Sequence, residues 1–154
     1  MREYEEKLKR IIEERGIDAE HLSFDEYCRT VAEAARAVGA EPEDFVKSIC
    51  MVDGDGGVIV AIVKGEDRAS TSRVARALGI ERPRVASPDE ILGLTGFPVG
   101  GTPGFGFDAR FLVDPRVLEK ERVYLGGGSE CALVNMSTSE LVRANGGRVV
   151  RVRK

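Results

Sequence analysis

Two glycine clusters are the first feature of this chain with chemical meaning. Nine of its eighteen glycines fall between Gly93 and Gly128, eight of them in the segments 95–106 (TGFPVGGTPGFG) and 126–129 (GGGS). Glycine permits positive φ and lets a backbone approach a ligand closely, so two such loops could present N–H donors to a carbonyl, hydroxyl or phosphate oxygen. Two ordinary wide loops would have the same composition, and spacing leaves both readings open. Lys47 is the second feature. It shares a strand face with Ile49 and Met51 near the opening of an apolar strand. A cation there either snorkels to solvent or meets a polar partner.

Other reactive residue types point to little chemistry. The single histidine, His21, falls in an expected surface loop; it rules out a His-rich metal site and is expected to be incidental. Cys28, Cys50 and Cys131 are odd in number with no CxxC pair, which argues against a disulfide framework or a zinc site and for reduced thiols. Asp53 and Asp55 imitate the start of a calcium loop, but Lys64 occupies the place of its bidentate Glu, so a turn is expected. Residues 96–102 spell G-x-x-x-x-G-T without the lysine of a phosphate-binding loop. No metal or cofactor is expected. Arg148, Arg151, Arg153 and Lys154 close the chain, either as phosphate contacts or as charges that protect a sheet edge.

The elements that must position these residues follow from periodicity. The 154 residues are 42% apolar and 32% charged with a formal charge of −3, the composition of an ordinary globular protein, and a single domain over 1–154 is expected. The longest purely apolar run is 58–63 and the N-terminus is acidic, so neither a signal peptide nor a membrane span is expected, and the cytoplasm is the expected location. Tyr4, Leu8, Ile11 and Ile12 line one face of a helix over 3–15, with Glu5/Lys9 and Glu6/Arg10 as supporting pairs. A second helix is expected over 30–38. Strands over 46–52 and 58–64 are apolar on both faces and flank the turn residues DGDGG, which predicts a hairpin inside a sheet. Helices over 71–78 and 88–92, the latter capped by Ser87, precede strands near 110–113, 122–125 and 131–135. A short strand is expected at 84–86. Ser137 and Glu140 predict a capping box for a last helix to 144, and a strand over 148–152 ends the chain. Strands and helices mix without strict alternation, so the expected class is α+β, with helices flanking a mixed, curved central sheet.

Several of these segments together resemble one family. Residues 30–35 (TVAEAA) resemble its early helix, 45–48 (FVKS) its strand-opening lysine followed by Ser or Thr, and 76–79 with 86–90 its middle helices. Residues 94–101 (LTGFPVGG) lead into its substrate loop, and Asp114 and the glycine run 126–128 stand where it places an aspartate and a glycine turn. In this order and spacing the chain resembles the YbaK/prolyl-tRNA synthetase-associated editing domain family, in its freestanding trans-editing form. The resemblance implies that family's fold, and hydrolysis of the ester between a wrongly attached amino acid and the terminal ribose of tRNA. The expected substrate is tRNA for proline carrying a small residue such as Ala or Cys, with prolyl-tRNA synthetase as a further partner. It implies Lys47 as the catalytic residue and Thr30, Ser48, Gly96, Gly100, Gly101, Thr102, Pro103, Asp114, Gly127 and Gly128 as the substrate-binding set, without a metal. One departure stands out: the family loop commonly runs Gly-x-x-x-Pro, whereas here Gly104 holds the fourth place after Gly100 and the proline is Pro103. A noncatalytic tRNA- or synthetase-binding module, which would tolerate loss of Lys47, is the alternative, and a small-ligand binder indifferent to tRNA is a third.

Overall fold

The computed structural model describes residues 2–24 and 31–154. Helix α1 (Arg2–Glu14) lays Leu8, fully buried, and the partly buried Tyr4, Ile11 and Ile12 on the core, and Gly16 ends it at φ +61°. Strand β1 (Ala19–Ser23) follows, then α2 (Val31–Val38) and a 3₁₀ turn (Pro42–Asp44). The expected hairpin forms in full: β2 (Val46–Val52) pairs antiparallel with β3 (Val58–Lys64), from Val46↔Lys64 to Val52↔Val58. Its turn closes on the Asp53 carboxylate, whose Oδ1 accepts from the N–H groups of Asp55 and Gly57 at 2.8 Å each, while Gly56 takes φ +82°. Helix α3 (Thr71–Leu78), strand β4 (Arg84–Val85) and helix α4 (Pro88–Thr95) lead to β5 (Arg110–Val113). After a 3₁₀ turn (Pro115–Glu119) come β6 (Arg122–Gly126), β7 (Ala132–Ser137), α5 (Thr138–Asn145) and β8 (Arg148–Val149).

The class is mixed α and β, as expected, but the strands divide into two sheets. One has the order β4-β2-β3-β5-β8, antiparallel around β2 and parallel from β3 to β8; the other is the antiparallel β1-β7-β6. A bridge between Phe45 and Tyr124, whose rings stack at 5.0 Å, joins them. Two-residue alternation buries the hairpin on both faces. Val46, Cys50, Val52, Val60 and Ile62 enter a core shared with Leu125, Val134 and Met136, whereas Met51, Ile59, Ala61 and Val63 pack under Val74 of α3 and Val152.

Some local expectations are corrected. His21 lies in β1, opposite Val134, and not in a loop. Glu5 is 2% exposed and turns inward, so it does not pair with Lys9; Lys9 bonds Glu6 at 3.3 Å. Helix α4 runs three residues past Leu92 to the cap at Gly96 (φ +80°), because the Thr95 hydroxyl donates to the Ile91 carbonyl at 2.7 Å and holds the last turn. Ser137 caps α5, but the Glu140 carboxylate takes the Asp18 N–H at 2.7 Å and Arg143, leaving half a capping box. Strand β8 stops at Val149, because the N–H groups of Val152 and Arg153 leave the sheet for the Asp114 carboxylate, at 2.9 and 3.2 Å. Among the described residues no helix is long and apolar enough to cross a membrane.

Candidate functional site: a pocket on the open edge of the hairpin

Strand β4 covers the outer edge of β2 only at Met51 and Val52. The Ala86 N–H donates to the Cys50 carbonyl at 2.9 Å, which directs the Cys50 peptide groups outward, and the two-residue period directs those of Ser48 the same way. A pocket of about 440 Å³ opens on this uncovered edge. Residues Phe45 to Cys50 form one side, Ala86, Pro88 and Ile91 the next, and Val99, Gly100 and Thr102 the mouth. Leu125, Gly126 and Leu133 of the smaller sheet, with Ala34 of α2, complete it.

Four side chains bring polar atoms to this lining: Lys47, Ser48, Cys50 and Thr102. Lys47 leaves β2 on the face of Ile49 and Met51, Ser48 on the opposite face, and both reach the pocket because it wraps the strand edge. Lys47 is half-buried and forms no ion pair among the described residues. Burial pushes the Cys50 thiol up to about 11, so it stays protonated at neutral pH and is no nucleophile. The Thr102 hydroxyl donates to the Pro98 carbonyl at 3.0 Å. Among the described residues no carboxylate and no imidazole lines the pocket, although the Glu130 side chain lies beside Gly100 at the mouth; the described lining offers one cation, hydroxyls and backbone donors in an apolar surround. Among the described residues no three His, Cys, Asp or Glu side chains gather as a metal-holding group.

The two glycine clusters meet, but mostly by packing main chain on main chain. A Cβ on Gly101 would stand 2.6 Å from the Gly128 carbonyl carbon and 2.7 Å from the Ser129 Cα, and one on Gly126 would overlap Thr102. The Gly128 N–H donates to the Gly101 carbonyl at 2.8 Å, and that of Gly127 to the Ala132 carbonyl at 3.2 Å. These donors hold the loops together and are not presented to a ligand. Gly100, at φ +86°, is the glycine at the mouth, and no acceptor among the described residues takes its N–H.

Of the residues singled out in the sequence, Lys47, Ser48, Gly100 and Thr102 therefore share the pocket. Gly101 lies one peptide behind the mouth. Gly126 lines the wall in place of Gly127 and Gly128, which back onto β7 and onto the Tyr4 carbonyl of α1. Pro103 is buried outside the lining, and Gly104 faces Leu141, Ile62 and Leu125. Gly96 caps α4, and its carbonyl accepts from Lys7 at 3.1 Å. Asp114 is fully buried away from the pocket, accepting from the main chain of Arg116, Val152 and Arg153 and from the Arg153 guanidinium at 2.9 Å. Thr30 lies outside the described residues.

Three features of the site were not singled out in the sequence. The apolar lining residues Ile91, Leu125 and Leu133 come from elements far apart in the chain, and no local signal marks them. Val99, half exposed beside Gly100, had one: an apolar residue set between proline and glycine in a polar loop. The third is a buried anchor behind the wall. Glu5 accepts from the hydroxyls of Ser23 at 2.6 Å and Ser129 at 2.7 Å and from Arg2 at 2.9 Å, and Ser129 in turn accepts from the Cys131 N–H. Burial raises the carboxyl pKa, but the bonds from Ser23, Ser129 and Arg2 outweigh it and hold Glu5 below the usual carboxylate range. His21 adds a tie to the same loop, its Nε2 lying 2.7 Å from the Gly127 carbonyl.

Residues 25–144 match the family model of the aminoacyl-tRNA editing domain. The chain belongs to this family. The editing domain is 31% identical over 85 residues to a proline–tRNA ligase of Trichlorobacter lovleyi, covering 55% of this chain and 15% of that protein. It is 27% identical over 120 residues to the uncharacterized protein YwhH of Bacillus subtilis, covering 77% of this chain and 76% of that one. The chain thus spans only 15 to 17% of the first ligases that it matches. Among solved structures, one proposed to be a trans-editing enzyme for prolyl-tRNA synthetase superposes with a TM-score of 0.92 at 29% identity, covering 100% of this chain and 99% of the other. The hypothetical protein APE2540 superposes at 0.87 with 35% identity, covering 96% and 99%.

Proposed function

We propose that this editing domain works in trans as a hydrolase that frees tRNA of a wrongly attached small amino acid, with tRNA for proline carrying Ala or Cys as the substrate. The observation that carries this reading is the pocket itself: about 440 Å³ of mainly apolar space beside one cation with no ion-pair partner among the described residues, in a member of an editing family. Among the described lining residues only Lys47 is charged, so with its ammonium engaged by a phosphate of the tRNA end the rest of the pocket favours a short uncharged amino-acid side chain over an acidic one. The near end-to-end match to a structure proposed as a trans-editing enzyme supports action on a tRNA released by a synthetase, with prolyl-tRNA synthetase as the partner in that cycle.

In this reading Lys47 holds a phosphate of the tRNA end and places the ester at the strand edge. The outward peptide groups of Ser48 hold the amino acid. The Gly100 N–H faces the developing oxyanion. Water attacks the ester carbonyl carbon, the bond to the ribose oxygen breaks, and the proton lost by water ends on that oxygen. The products are the free amino acid and a tRNA with its terminal hydroxyl restored. With no side-chain base among the described lining residues, the neighbouring ribose hydroxyl of the substrate is the group available to relay that proton, and the protein contributes positioning and electrostatics. Thr102 shapes the mouth, while Gly101, Gly127 and Gly128 set the wall; Gly96, Pro103 and Asp114 support from behind.

The test is a panel of tRNAs mischarged with Ala, Cys, Ser, Val and Asp, each incubated with and without the protein. Ala- and Cys-charged tRNA for proline should be deacylated, with Asp spared. Equal rates across the panel, or no acceleration of any member, would contradict the assignment.

A further inference from the structure

A formal charge of −3 conceals a cationic face. Residues 68–84 hold Arg68, Arg73, Arg76, Arg82 and Arg84 against the single acid Glu81, and residues 148–154 hold Arg148, Arg151, Arg153 and Lys154 against none. The fold ties the two segments together. The Ser70 N–H donates to the Val152 carbonyl at 2.7 Å, the Lys154 N–H to the Arg68 carbonyl at 2.8 Å, and the Arg148 guanidinium to the Ala77 carbonyl at 2.7 Å. Glu90 neutralises Arg84, and Asp114 neutralises Arg153. Arg68, Arg73, Arg76, Arg151 and Lys154 form no ion pair among the described residues. The charge of Arg151, then partial burial, then the charges of Arg76 and Arg153 push the Arg73 pKa below the ordinary arginine value. Like charges gathered in this way weaken a fold unless a bound anion offsets them.

The cluster lies on the side of the larger sheet from which Lys47 emerges. Helix α3 packs through Val74 on Met51, Ile59 and Val63, the same face of β2 from which Lys47 emerges. A chain of phosphates leaving Lys47 along that face would run toward α3, which carries Arg73 and Arg76.

We propose that this surface, formed by α3 and residues 148–154, binds the phosphodiester backbone of the tRNA whose aminoacylated end occupies the pocket. The inference rests on the editing reading above. Four of these five cations are arginines, whose planar forks suit phosphate oxygens. A membrane surface is disfavoured, because Val74, Ala77 and Leu78 of α3 pack toward the core and leave no apolar face to insert.

The test compares the parent protein with Arg73→Glu/Arg151→Glu and with the milder Arg73→Gln/Arg151→Gln, each checked for an unchanged thermal midpoint. Both substitutions lie outside the pocket lining. The reversed variant should lose about tenfold or more in kcat/KM on full-length mischarged tRNA, and the neutral one less, while an aminoacylated CCA trinucleotide is hydrolysed at the parent rate. The slope of log affinity for uncharged tRNA against log salt should fall by about one to two. Unchanged rates and slopes on full-length tRNA, or equal losses on the trinucleotide, would overturn the inference. So would capture of phosphatidylserine vesicles by the parent protein without any effect of the variants on tRNA. If the parent hydrolyses neither substrate, the editing reading fails, and binding of uncharged tRNA still decides the surface by itself.

Discussion

Cys50 brings a thiol to the pocket lining, yet its surroundings deny it the usual thiol chemistry. With the thiol pushed up to about 11 by burial, the thiolate fraction at pH 7 is negligible. Cys50→Ala should therefore deacylate at close to the parent rate, at a cost of about 1 kcal/mol in packing, and iodoacetamide at pH 7 should not inhibit the parent protein. Rapid inactivation by the alkylator would place the thiol in the reaction. Glu5 and Asp114 behave in the opposite sense. Burial raises both carboxyl pKa values, but hydroxyl and Arg2 bonds at Glu5, and main-chain and Arg153 bonds at Asp114, lower them further, to a net value below that of the free side chain. A depressed carboxyl adds stability that is fully present above its unfolded pKa, about 4, and lost as pH falls through the folded value. The thermal midpoint should thus be flat from pH 7 to about 5 and fall below about 4. Glu5→Gln and Asp114→Asn should each start lower at pH 7, by ~2 kcal/mol of stability, and show a shallower acid decline. Parallel pH curves for parent and variants would contradict this.

At the scale of elements, the wall of the pocket depends on two loops that touch through their backbones. Gly101→Ala drives a methyl group into the main chain at Gly128 and Ser129, and such overpacking costs ~1–3 kcal/mol. The expected result is a lowered thermal midpoint with deacylation reduced more than stability explains, because Gly100 and Thr102 move with it. Gly93→Ala is the contrasting case. Gly93 sits inside α4 with open space where a Cβ would go, so alanine should stabilise by ~0.5–1 kcal/mol and leave turnover unchanged. Elements with strong local signals were legible in the sequence. The hairpin is marked by β-branched runs around an Asp-Gly turn, and the start of α4 by the cap Ser87; its end at Gly96 was not marked. Strand β1 was not: AEHLS is short and mostly polar, and only pairing with β7, more than a hundred residues away, makes it a strand. The capping function of Glu140 failed in part for a similar reason, since the Asp18 N–H, 122 residues distant, competes for its carboxylate.

For the molecule as a whole, family membership was legible because its motifs recur in order, but the site was legible only in part. Lys47 and Ser48 stand at a strand opening and Gly100 and Thr102 in a glycine loop, all visible as local exceptions to an apolar or regular pattern. The splitting of one expected sheet into two, the apolar lining, and the anchor from Glu5 to Ser23 and Ser129 arise from contacts 18 to 124 residues apart, which no window along the chain contains. Asp114 entered the substrate-binding set by resemblance alone, and its partners in the fold are this chain's own C-terminal residues. The central claim, that the pocket hydrolyses mischarged tRNA with Lys47 holding the substrate end, is tested most directly by single-turnover deacylation of alanyl-tRNA for proline, with thermal midpoints measured beside it. The parent protein should release alanine well above the spontaneous rate, and Lys47→Ala should be about 100-fold slower, ~3 kcal/mol, the scale of one lost electrostatic contact, at an unchanged midpoint. A stable Lys47→Ala protein that releases alanine as fast as the parent would contradict the account.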